Sequence, residues 1–113
     1  MALTRTIGFR NQVITIPPGL DAVCLSPNLD KFVVDFELHN RAGNTSPIFI
    51  GDSTVDSTNW VPLAVGGTKN YVHGEGTMIG AGMVGSFNFK NIFIKGGTAG
   101  DVVVIQYFVY ENS

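Results

Sequence analysis

Along "KFVVDFELHN", residues 31 to 40, apolar and polar positions alternate. Phe32, Val34, Phe36 and Leu38 fall in one phase and Lys31, Val33, Asp35, Glu37 and His39 in the other, the period of two that a half-buried strand needs. "DVVVIQYFVY", residues 101 to 110, is β-branched and aromatic in both phases. That predicts a strand in the middle of a sheet, or one whose outer face meets another subunit. "SFNFKNIFIK" has Phe87 and Phe89 in one phase and Ile92 and Ile94 in the other. The inward face therefore switches at Lys90 and Asn91, and a β-bulge or a bend there repairs the pattern. Shorter strands are predicted at "ALTRTIGF", "QVITI", "DAVCL", "PIFIG" and "KNYVH".

Turn clusters separate these segments: "PPGLD", "SPNLD", "NRAGNTS", "GDSTVDSTN", "AVGGT", "HGEGT" and "KGGTAGD". No segment carries a helical period. Short strands at regular spacing with Gly, Pro, Asn and Asp between them predict an all-β fold, a single-domain antiparallel β-sandwich of jelly-roll type spanning residues 1 to 113. Residues 1 to 6 are either part of a first strand or an N-terminal arm that reaches a neighbour.

Composition narrows the class of partner. Of the 113 residues only 14% are charged, against roughly 25% in a typical soluble domain. So dry a surface on so small a chain favours an oligomer or a protein held against a partner. The net charge is −2, and the 7 Lys and Arg are scattered, so no basic stripe meets a phosphate backbone and nucleic-acid binding is not expected. Cys24, the single cysteine, has no disulfide partner within the chain and reads as a small packed residue. No apolar run reaches the ~18 residues of a membrane span, and "MALTRTIGFR" lacks the apolar stretch of a signal peptide. The expectation is a chain made in a cytosol, with no membrane partner.

The segment that invites a chemical reading is "IFIGDSTVDSTNWVPLAVGGT", where Asp52 and Asp56 stand among serines and threonines beside Trp60. The calcium-loop pattern D-x-[DN]-x-[DN]-G is absent, whereas Asp and Ser accept hydrogen bonds from amides one or two residues on and so close turns. Turn chemistry is the stronger reading. His39 and His73 are the only histidines and, with one cysteine, offer no metal-ligand spacing; they read as a strand His and a loop His. "MIGAGMVGS" spaces Gly80, Gly82 and Gly85 as GxGxxG but lacks the strand-then-helix setting of a nucleotide site, and fits an apolar interface loop better. The "NTS" sequon at residues 44 to 46 carries no meaning without a secretory signal, and no G-x-S-x-G elbow occurs. No catalytic residue, cofactor or metal is expected. Trp60 reads equally as a buried residue or as an exposed anchor.

"NTSPIFIGDSTVDSTNWVPLAVGGT", followed by "GSFNFKNIFIKGGTAGDVVVIQYF", resembles small all-β virion proteins of tailed bacteriophages. The shared order is a short strand, a Gly-Asp-Ser turn, a "TN-x-x-PL" loop and a final hairpin closing on "GDV", over about residues 40 to 110. Trp60 departs from the pattern, in which its position is often glycine. The resemblance implies a capsid decoration or cement protein: a homo-oligomer, trimer favoured, on the capsid exterior, touching the major capsid protein and carrying no enzymatic residues. Such a protein docks through loops or an arm, which makes Leu3, Thr4, Trp60, Val61, Pro62 and Met83 the candidate interface. The alternative is a tail or head-fibre module that binds a carbohydrate or receptor, with Trp60 as platform beside Asp56 and Asn59. The absence of a repetitive shaft leads us to expect decoration.

Overall fold

The computed structural model describes residues 5–56, 58, 61–72 and 87–112. Ten strands follow in chain order: β1 (Arg5–Thr15), β2 (Val23–Cys24), β3 (Phe32–Val33), β4 (Asp35–Asn40), β5 (Ile48–Gly51), β6 (Pro62–Leu63), β7 (Thr68–Val72), β8 (Phe87–Asn88), β9 (Phe93–Gly96) and β10 (Val102–Asn112). Every pairing among them is antiparallel. One sheet has the order β1-β10-β4-β7 and another β2-β9-β5-β6, while β3 and β8 form a two-stranded pair. The protein is all-β.

One core joins the two larger sheets. Ile14, Phe36, Leu38, Val103, Ile105 and Tyr107 come from the first, Ile48 and Ile94 from the second, and all belong to one buried cluster with Leu25, Val33 and Phe89. The arrangement is sandwich-like, each sheet turning its inward phase to the other. Gly96 on β9 is tightly packed: a Cβ there would lie 2.7 Å from Ile16 Cγ1 and 3.1 Å from Ile48 Cδ1. A side chain at Gly96 would have to displace these core residues.

The β-branched and aromatic segment near the C-terminal end behaves as its pattern predicts. β10 lies between β1 and β4, pairing Val102–Asn112 with Arg5–Thr15 on one side and Val103–Phe108 with Asp35–Asn40 on the other. Two other expectations are corrected, and a third, the bend at Lys90 and Asn91, takes a definite form. The strand expected over residues 31 to 40 is two strands in two sheets: β3 pairs with β8 and β4 with β10 and β7. A bend at Val34 resets the phase, so Val33 and Val34 are both buried while Phe32 is 59% exposed. The separate strands "ALTRTIGF" and "QVITI" are one, because β10 offers β1 an unbroken template and Gly8 pairs across from Val109 without interruption. The switch in "SFNFKNIFIK" is a 3-10 turn, Phe89–Asn91, capped by the Asn88 side chain, which accepts from Lys90 N–H. Its effect is the one the pattern requires, since Phe89 and Ile94 both reach the core across it.

Candidate functional site

The paired aspartates are turn residues. Asp52 Oδ1 accepts from Thr54 N–H at 2.8 Å and from the Thr54 hydroxyl at 2.5 Å. Asp56 Oδ1 repeats the motif on Thr58, at 2.7 Å to both its amide and its hydroxyl. The sequence echo "DST…DST" is thus a structural echo, two Asx turns in succession after β5. The Thr54 hydroxyl, and after it the Thr54 amide, hold the Asp52 carboxyl below its ordinary value of 3.8. Each carboxylate is turned toward its own threonine.

A second polar cluster lies where "NRAGNTS" meets "KGGTAGD". Asn40 continues the inward phase of Phe36 and Leu38, so its amide is carried into the core and must be satisfied there. Its Nδ2 donates to Ser46 O at 3.2 Å and Leu63 O at 3.0 Å, and its Oδ1 accepts from Asn44 Nδ2 at 2.6 Å. Asn44 clasps β10 with both ends of its amide: Nδ2 donates to Val102 O (2.7 Å) and Oδ1 accepts from Val102 N–H (2.8 Å). Asp101, buried one residue earlier, accepts from Thr45 N–H at 3.1 Å and Ser46 N–H at 3.0 Å. Gly100, at φ +89°, supplies the turn that presents it. This corner is a hydrogen-bonded network built around the buried Asn40 and Asp101 that joins three chain segments, and such networks fix geometry.

The remaining titratable groups are dispersed. His39 lies on the outer face of β4, its Nδ1 3.0 Å from Thr68 Oγ1. Cys24 donates its S–H to Lys90 O at 3.2 Å, packing against the 3-10 turn. Among the described residues no three of His, Cys, Asp and Glu group as metal ligands, and no helix is long and apolar enough to cross a membrane.

One concavity is predominantly apolar. A cleft of about 440 Å³ is lined by residues of β4, β5, β6 and β7, among them Phe36, Leu38, Ile50, Leu63 and Tyr71. Tyr71 stacks on Phe36 with ring centroids 4.8 Å apart, and burial pushes its hydroxyl above its ordinary value of 10.0. Val61 (80% exposed) and Pro62 stand at the rim, on the outer edge of the second sheet. A proline is tolerated there because an edge strand leaves one row of amides without a ladder partner.

Of the candidate interface residues, Val61 and Pro62 are brought together at this rim; Leu3, Thr4, Trp60 and Met83 lie outside the described residues, as do Asn59, His73 and the segment with Gly80, Gly82 and Gly85. The Asn40–Asn44–Asp101 corner was not foreseen from the sequence, although the phase of Asn40 signals it. The chain matches no family model, no curated protein and no solved structure.

Proposed function

We propose that the protein is a non-enzymatic virion component of the capsid decoration type, which binds the outside of a shell through protein contacts and stabilises it. The observation that carries the reading is how the described residues divide their chemistry. Asp52, Asp56, Asp101, Asn40 and Asn44 are held in turns and a corner, while the exposed rim of the apolar cleft presents Val61 and Pro62. A docking protein needs that division: a rigid β body and a surface low in charge. The virion setting rests on the resemblance of residues 40 to 110, and the partner it implies is the major capsid protein.

Purified particles from a phage encoding this chain provide the test. The chain should be found on the head exterior, and particles lacking it should disassemble at lower temperature and be restored by adding it back, as binding to the assembled state alone requires. Val61→Glu should reduce its occupancy several-fold, as expected for charge placed in an apolar contact. Absence from the particles would sink the proposal. A location on the tail, with a specific glycan-array hit, would replace it by the receptor-binding reading.

A further inference from the structure

We propose that two copies of the chain join edge to edge through β1, antiparallel about a two-fold axis at Asn11, to form one continuous sheet. It rests on the reading above and names the surface through which a decoration protein would self-associate, as a two-fold dimer in place of the trimer that the resemblance favours.

β1 is an edge strand: among the described strands only β10 pairs with it. Its eleven residues make it as long as any other described strand. The direction of its backbone groups follows from the ladder. Ile16 N–H donates to Asp101 O at 2.8 Å, one step past the Thr15–Val102 pair, so even-numbered residues of β1 turn their N–H and C=O toward β10. Val34 N–H donates to Phe108 O on the far side of β10, which agrees with that parity. Ile7, Phe9, Asn11, Val13 and Thr15 therefore direct theirs outward. The Phe9 carbonyl takes a 3.2 Å hydrogen bond from the neighbouring Arg10 guanidinium, as a carbonyl on an open edge does.

The side chains choose the occupant and the register. On the outer face, Phe9 (55% exposed) pairs with Phe108 and Val13 (60% exposed) with Val104, while Asn11 pairs with Gln106 between them. The Phe9 and Phe108 rings touch at 5.1 Å. A second copy centred on Asn11 sets Phe9 opposite Val13 of its mate. The rows then run unbroken across the seam, Phe108–Phe9–Val13–Val104 on each side of a central Asn11–Asn11 row. Centring on Arg10 would oppose two guanidinium groups and set Phe9 against Asn11. Centring on Phe9 would set Val13 against Arg5. Like charges directly opposite destabilise a sheet and apolar pairs stabilise it, so Asn11 is the centre that the pattern favours. In that register five residues of each edge find partners, each pair exchanging two backbone bonds. The contact is isologous and closes at two copies.

The test uses the full chain with Cys24→Ser. Asn11→Cys should form a covalent dimer on mild oxidation, because hydrogen-bonded antiparallel partners have Cα atoms ~5.5 Å apart, within disulfide reach. Arg10→Cys and Phe9→Cys should cross-link far less. Sedimentation equilibrium should show a dimer, and Asn11→Pro, which removes an outward amide and no bond to β10, should give a monomer with an unchanged circular dichroism spectrum. A monomeric parent chain, or cross-linking centred on position 9 or 10, would overturn the proposal; if Asn11→Pro fails to fold, the cross-linking pattern decides. Shell binding by the Asn11→Pro monomer separates this inference from the decoration reading, which survives if the monomer still binds.

Discussion

Asp52 and Asp101 both accept hydrogen bonds from backbone amides, and burial separates their roles. Asp101 is buried against the amides of Thr45 and Ser46 in another loop, so replacing it would leave those two donors without their acceptor. Asp52 is exposed and holds only its own turn. Its influence is therefore visible in pH dependence. The folded carboxyl titrates below its ordinary value of 3.8, so the stabilisation is fully present above that pH and is lost as pH falls through the lower folded value. Asp52→Asn keeps an oxygen for the Thr54 amide and should leave the urea midpoint at pH 7 nearly unchanged. Below pH 3.8 its midpoint should fall less steeply than that of the parent. Parallel acid limbs for the two proteins would show that this carboxylate contributes nothing to the acid response.

At the scale of elements, two phenylalanines make opposite forecasts. Alternation along residues 31 to 40 assigns Phe32 to the core, but the chain changes sheets at Val34 and Phe32 faces solvent. Phe89 is fully buried inside a 3-10 turn, with edge-to-face contacts to Phe36 at 5.2 Å and Tyr107 at 5.1 Å. Phe89→Ala should cost about 3–5 kcal/mol of stability in urea unfolding, by lost transfer energy and the cavity left behind. Phe32→Ala should stay within about 0.5 kcal/mol, as exposed positions do. The reverse order would mean that β3 continues β4. What was legible follows from range. The Asx turns of Asp52 and Asp56 are made within two residues, and β10 announces its central place by composition alone. The corner of Asn44 and Asp101 joins Thr45 to a residue 56 positions away, and no local pattern encodes such a meeting. The bend at Val34 was hidden for a related reason: both its sides are apolar, so periodicity runs through it without a break.

Across the whole molecule, the first described strand lies beside the last. β1 and β10 pair over eleven residues, and β10 alone connects β1 to β4. Val103, Ile105 and Tyr107 carry the middle of the core, and the Asn40–Asn44 corner closes on Val102. The final strand is therefore the element on which both the first sheet and the corner network depend. A topology of this kind closes its longest loop before most of its contacts form, which places it with slow-folding β proteins, on the order of milliseconds to seconds. Removing residues 102 to 113 should then abolish cooperative unfolding altogether, with no stable core left behind. The truncated chain should bind a hydrophobic dye, lose the near-ultraviolet signal of its packed aromatics and melt without a transition. Adding a synthetic peptide of residues 102 to 113 should restore the transition in proportion to its concentration, because the missing strand is then supplied by mass action. A truncated chain that still unfolds cooperatively would place the folding unit in β2, β5 and β9 instead, and would make the sheet that carries β1 a later addition to it.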